Sequence, residues 1–221
     1  MFPVHCHKKH ALSLVLLFGV AATAPCQTSA DLTITSEYAA RGMALDSRPA
    51  LQLRVEHDSD AGWYGGAFAS PVALSNRRQG QLTAYAGRAR QLTSTLSWDA
   101  GVTRSVYLRD SHLNYHEIYA GLTHQRISAR LFYSPAYYGD ERSLYLDLNG
   151  AYPLNDQLSV ALHGGWLHLF GESGRNLDVR LALAYDMGDY SLKAGWQLKG
   201  HGYLHGSSRA RALSVSASRR F

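Results

Sequence analysis

Cysteine is almost missing. Only Cys6 and Cys26 occur in 221 residues, and both precede Ala30. The rest of the chain has no thiol for a disulfide, a nucleophile or a thiolate metal ligand. Proline is sparse, at six residues. No apolar run after residue 30 approaches the roughly 20 residues that a membrane-crossing helix needs, and no stripe of helical period persists there. Charge of one sign is not concentrated either. Twenty-two lysines and arginines face 17 carboxylates, for a net charge of +5. That excess is too mild, and too little interleaved with stacking aromatics, to argue for nucleic acid. There is no glycine-rich phosphate cradle, no defensible pair of catalytic carboxylates, and no linker or low-complexity tract to divide the chain.

What stands at the start is a leader. "MFPVHCHKKH" carries Lys8 and Lys9, and the apolar run "ALSLVLLFGVAATA" follows from Ala11 to Ala24. A charged head, a short apolar stretch and small residues at a cut site describe a secretory signal peptide. Pro25 disfavours a cut after Ala24, so cleavage is expected after Ala30, in "TSA|D". This gives a signal peptide over residues 1–30 and a single domain over 31–221. Loss of Lys8 and Lys9 lowers the net charge from +5 to +3.

Fourteen tyrosines and 20 glycines then set the tone. This is a strand-forming composition. In "ALQLRVEH", Leu51, Leu53 and Val55 alternate with Gln52, Arg54 and Glu56. "SLYLDLNGAY" sets Leu144, Leu146 and Leu148 against Tyr145, Asp147 and Asn149. "LDVRLALAYDM" and "YSLKAGWQL" repeat the pattern. Strict alternation marks strands with one apolar and one polar face. About twelve such segments of about ten residues recur, long enough for tilted strands to cross a bilayer.

The breaks between segments are sorted by length. "RGMALDSR", "PVALSNRRQG", "RDSHL", "GDER", "FGESGR" and "HGYLHGSS" alternate with the mostly shorter "DSDAG", "RQLT", "QR", "PLNDQ" and "GD". Long loops on one side and tight turns on the other describe an outer-membrane barrel. Lipid offers the backbone no hydrogen-bond partner, and closure removes free strand edges. The expected fold is therefore all-β: a transmembrane antiparallel up-and-down barrel of about 12 strands. Tyr38, Trp63, Tyr107, Tyr115, Tyr137, Tyr138, Tyr152, Trp166 and Tyr190 sit near strand ends, where interfacial girdles belong.

The chain finishes inside a strand, "ALSVSASRRF", with Leu213, Val215, Ala217 and Phe221 on one face. A terminal aromatic strand of this kind resembles the signal read by the barrel-assembly machinery. "SEYAARG", "RPALQ", "GWYGGAFAS", "AYAG", "NYHEIYAGL", "YSPAYYG" and "SASRRF" together resemble the proteobacterial TorF family of porin-like proteins, across nearly all of residues 32–221. Ala40 stands where that family usually has an aromatic before the Arg-Gly pair. The resemblance implies an outer-membrane barrel of pore-forming type, and it brings no catalytic residues.

No enzyme, cofactor or metal site is expected. His57 and Ser59 have a His-x-Ser spacing, but they fall in a predicted turn. His112 and His116 are i and i+4 in an extended stretch, about 13 Å apart. His201 and His205 have the same spacing in a loop. What remains is the polar face. It points Glu37, Arg54, Glu56, Asp99, Glu117, Arg130, Asp147, Asp178, Arg180 and Lys193 toward the lumen. Arg41, Arg48, Arg77, Arg78, Arg109, Arg142, Arg175 and Arg209 are expected at the outward loops. A positive mouth draws anions, or alternatively holds the phosphates of lipopolysaccharide. The leading expectation is a narrow diffusion channel for small polar or charged solutes, with mild anion preference. The alternative is a closed barrel with a structural, binding or adhesive role through its loops. Modest loop lengths argue against a long constriction loop. The expected partners are outer-membrane lipid and lipopolysaccharide, the assembly machinery and small solutes. The number of copies that associate is left open.

Overall fold

The computed structural model of the chain describes residues 27–74, 77–171, 175–198, 208–209 and 213–221. The strands are β1 (Gln27–Thr35), β2 (Tyr38–Ala40), β3 (Met43–Asp46), β4 (Ala50–Asp58), β5 (Trp63–Leu74), β6 (Arg77–Gln91), β7 (Leu96–Tyr107), β8 (Tyr115–His124), β9 (Ile127–Tyr137), β10 (Glu141–Pro153), β11 (Leu158–Leu169), β12 (Arg175–Met187), β13 (Tyr190–Leu198), β14 (Ser208–Arg209) and β15 (Leu213–Arg220). Twelve of them close into an antiparallel barrel in the order β1-β15-β13-β12-β11-β10-β9-β8-β7-β6-β5-β4, while β14, β3 and β2 form a separate small sheet.

The barrel is inside-out relative to a water-soluble fold. Leu51, Val102, Ile118, Leu162, Leu181 and Val215 are exposed on the outer face. Ser105, Ser134, Ser143, Asp147, Ser159 and Gln197 are buried on the inner face. Alternation alone produces this sorting, because successive strand side chains point to opposite faces. Closure is made by β1 and β15. β15 pairs with β1 from Asp31↔Arg220 to Thr35↔Ser216, and Ala30 exchanges both backbone hydrogen bonds with Phe221. Leu213, Val215, Ala217 and Phe221 lie on the outer face of this seam.

Three local expectations change. The break "PVALSNRRQG" is not a loop: β5 runs on to Leu74 and β6 starts at Arg77, in register from Trp63↔Arg88 to Leu74↔Arg77. Its small and β-branched residues extend the hairpin past the barrel wall. The start of β1 also differs. The strand reaches back before Leu32: Gln27–Ala30 pair with Asp58–Val55 and supply four of the nine β1–β4 pairs. Of the expected girdle aromatics, Trp63, Tyr152 and Tyr190 are exposed outside, but Tyr107, Tyr115, Tyr137 and Tyr138 are buried. These four pack with Met43, Leu45, Val72, Leu74, Leu167 and Leu169 in one cluster at the end of the barrel where the longer loops lie.

That cluster exists because the connection from β1 to β4 folds inward. β2 and β3 form a hairpin whose Ala40↔Met43 pair leaves Arg41-Gly42 as the two-residue turn. Both turn residues have positive φ, 51° and 76°, as a primed hairpin turn requires. Gly42 has a second constraint, since a Cβ there would come within 2.9 Å of the Asn176 side chain. Met43 and Leu45 are each 1% exposed. Burying an apolar side chain of this size contributes about 1.5–3 kcal/mol, so the hairpin is seated by its own apolar residues.

Candidate solute pathway

Below the inward hairpin lies a cavity of about 440 Å³ that runs along the inside of the barrel. Tyr38, Ala39, Ala40 and Arg41 bound it on the hairpin side, and Ser29, Asp31, Ser218 and Arg220 line it toward the short-turn end. Thr33 and Thr35 of β1 face Ser218 and Ser216 of β15 across the closing seam, and Ser29 and Ser214 lie further along the same two strands, so small hydroxyls line much of this wall. Elsewhere the wall is kept clear by tyrosines that lie flat over glycines. A Cβ at Gly66 would meet Tyr85, one at Gly87 would meet Tyr64, and one at Gly101 would meet Tyr119. A strand glycine often marks such a close approach.

The carboxylates of the lumen are largely taken up. Arg130 meets Asp99 at 2.7 Å, and the Tyr64 hydroxyl donates to Asp99 at 3.1 Å. Tyr85 donates to Glu56. Asp147 and Asp178 flank His163, at 3.2 Å from Nδ1 and 3.3 Å from Nε2, and Asn149 donates to Asp147 at 2.8 Å. Arg220 donates to Asp31 at 3.3 Å. Such pairing is what buried charge requires.

Arg41 makes the densest set of contacts. Its two terminal nitrogens donate to the two oxygens of Glu117, each at 2.8 Å. Its guanidinium lies 4.4 Å from the Tyr145 ring centroid, 5.0 Å from Tyr137 and 5.5 Å from Phe132. Burial is the largest single influence and works against the charge, but the Glu117 carboxylate and the surrounding groups together outweigh it, and the pKa of Arg41 is raised well above its ordinary value. A bidentate, ring-stacked site suits arginine and not lysine. Asn176 also donates to the Arg41 carbonyl, at 2.7 Å. The hairpin is thus latched to β8 through Glu117 and to β12 through Asn176.

Three lumen cations have no such partner. Arg54, Arg180 and Lys193 line the cavity and form no ion pair among the described residues. Arg54 lies over the Phe68 ring at 5.8 Å. Arg180 donates to the neutral Gln197, at 3.0 and 3.2 Å. Positive charge without a fixed counterion is therefore gathered on the β4, β12 and β13 wall.

Of the ten residues expected in the lumen, Glu37, Arg54, Glu56, Glu117, Asp147, Asp178, Arg180 and Lys193 line the cavity. Asp99 and Arg130 are also buried but are spent on each other, against the wall. The outward-loop set divides. Arg41 is not at the mouth, because its turn folds into the barrel. Arg48 and Arg78 converge on the buried Asp46, at 3.1 and 2.9 Å. Arg77 opens β6, and Arg109 follows β7 and is exposed. Arg142 and Arg175 are not loop residues. They belong to β10 and β12 and stand exposed, because those strands run further than their leucine pattern. The side chain of Arg209 lies outside the described residues, as do His201 and His205. His57 bonds Thr28 at 2.8 Å, and the Ser59 hydroxyl accepts from the Trp63 backbone at 3.1 Å, so the His-x-Ser pair is engaged in turn and strand contacts.

Sequence reasoning missed the inward path of Arg41, the clasped His163, and Asp31 and Arg220 at the short-turn end. The signals were present. "ARGM" is a two-residue turn between short strands, and His163 is in phase with Ser159 and Ala161.

A family model described as "Bacterial protein of unknown function (Gcw_chp)" matches residues 20–206. No curated protein sequence matches the chain. Among solved structures, the fold is similar to the KdgM porin, with a TM-score of 0.60 and 13% identity over 87% of this chain and 99% of that one. The KdgM porin in complex with disordered oligogalacturonate gives a TM-score of 0.61 and 11% identity, with the same coverage. The NanC porin gives 0.60 and 13%, covering 86% of this chain and 97% of that one.

Proposed function

The chain belongs to the Gcw_chp family of bacterial proteins, and we propose that it works in the outer membrane as a passive channel for small polar and charged solutes, with a preference for anions. The observation that carries this reading is the asymmetry of lumen charge. Asp31, Asp99 and Glu117 pair with arginines, Asp147 and Asp178 flank His163, and Glu56 accepts from Tyr85, while Arg54, Arg180 and Lys193 line the cavity with no ion pair among the described residues. Unpaired cations beside a wet path raise the local concentration of anions, and the effect weakens as salt screens it.

The hydroxyl-lined wall and the ringed Arg54 suit a solute with both hydroxyls and a carboxylate. A sugar acid has both, and one structurally similar porin was solved with oligogalacturonate. The narrower TorF resemblance is supported by its motifs, all of which fall within the family match except "SASRRF". The reading is of a channel without catalysis, exported behind a leader, inserted by the assembly machinery through its last strand and surrounded by lipid.

The test is swelling of liposomes that contain the folded protein. Galacturonate should enter faster than galactose, and replacing Arg54, Arg180 and Lys193 with glutamine should erase the difference. Equal entry with the unaltered protein overturns the anion preference. A second reading has its own observation. The inward hairpin and the apolar cluster at the outer mouth support a barrel closed at rest. In that case neither sugar enters.

A further inference from the structure

On the outer face of the barrel strands, the described charged side chains are all basic. Every strand carboxylate in the wall, Asp31, Glu56, Asp99, Glu117, Asp147 and Asp178 among them, points inward. At the long-loop end these outward bases gather across β10, β11 and β12. Arg142 and Arg175 are exposed, and His168 is the cross-strand partner of Arg175. Trp166 stacks on His168 with centroids 5.8 Å apart and planes 5° from parallel. Phe170 meets the other side of His168 edge-on at 4.8 Å, and the Arg142 guanidinium lies 5.6 Å from the Phe170 ring. The Nδ1 atom of His168 is buried with no hydrogen-bond partner among the described residues. Glu141, the adjacent carboxylate, is paired across the strands with the inward Tyr137 and does not share this face.

We infer that this patch is a docking site for a phosphate of lipid A in the outer leaflet. The inference rests on the membrane-barrel reading above but not on conduction. The Trp166 and Phe170 rings mark the polar boundary of the bilayer, where amphipathic aromatics sit. Arginine forks match phosphate oxygens in bidentate geometry, and two forks on a common face suit a dianionic group. A neutral headgroup leaves both guanidiniums without a counterion, and a single phosphodiester supplies one negative charge for the two. The rings hold Arg142 and His168 in place before the lipid arrives, so less rotamer freedom is lost on binding.

The experiment uses the full-length folded protein in dodecyl maltoside micelles. Bisphosphorylated lipid A, monophosphorylated lipid A and phosphatidylglycerol are titrated separately, and bound lipid is counted by native mass spectrometry. Bisphosphorylated lipid A should bind most tightly. The double variant R142Q/R175Q should weaken it by about tenfold or more, the scale of losing two surface cation contacts. R88Q/R90Q, which alters two outward arginines at the short-turn end, should leave it unchanged. Wild-type binding by R142Q/R175Q overturns the site. So does equal binding of phosphatidylglycerol, or equal loss in both double variants. Failure of the channel reading is separately visible, because conduction is measured in bilayers without lipid A.

Discussion

Leu181 and Ala182 are adjacent in β12 and have opposite surroundings. Leu181 is 46% exposed on the outer face, while Ala182 lines the cavity. An arginine on the lipid face near mid-membrane costs about 2–4 kcal/mol. Leu181→Arg should therefore lower unfolding stability in lipid vesicles, measured by urea titration, by about that amount. Ala182→Arg should cost clearly less. Equal losses would contradict the register. At this scale the sequence was easy to read wherever period-two alternation held, since the face of Leu181, Asp147 or Val215 follows from its neighbours. It was hard to read where alternation meets a strand end. Arg142 and Arg175 looked like loop residues because no leucine follows the pattern outward past them.

The β2–β3 hairpin is the element that alternation could not reveal. Its strands hold three and four residues, too few to show a period. Its inward path is set by contacts remote in sequence: Arg41 to Glu117, and Met43 and Leu45 to a cluster drawn from β5, β7, β8, β9, β10 and β11. Removing one partner of a buried ion pair costs about 3–5 kcal/mol, because the other charge is left uncompensated. Arg41→Ala and Glu117→Gln should each loosen the hairpin and give larger or noisier single-channel currents than the unaltered protein. Identical current amplitudes and noise would show that the hairpin does not constrict the path. The first strand makes a different prediction. Gln27–Ala30 supply four of nine pairs to β4, and Ala30 exchanges two backbone hydrogen bonds with Phe221. A cut after Ala30 would strip those contacts from the closing seam. The intact mass of protein extracted from outer membranes should therefore correspond to a start at or before Gln27. A mass starting at Asp31 would contradict this and support the cut after Ala30.

For the whole molecule, strand number, alternating orientation and terminal closure were all legible, because a barrel in lipid leaves the backbone few alternatives. The net charge of the lumen was legible too, but its consequence was not. The inward residues named from sequence hold six carboxylates and four bases. Which of them are held by partners was not legible: Arg130 pairs with Asp99, the inward Arg41 pairs with Glu117, and His163 lies between Asp147 and Asp178, while Arg54, Arg180 and Lys193 line the cavity with no ion pair among the described residues. The most direct test is the reversal potential of the purified, folded protein in planar bilayers under a salt gradient. Discrete conductance steps should appear with a reversal potential of the sign for anion preference, stronger at low salt. Replacement of Arg54, Arg180 and Lys193 by glutamine should shift that potential toward cations while the barrel still inserts. Silent bilayers with verified folded protein, or a cation-selective potential that the triple replacement leaves unmoved, would contradict the account.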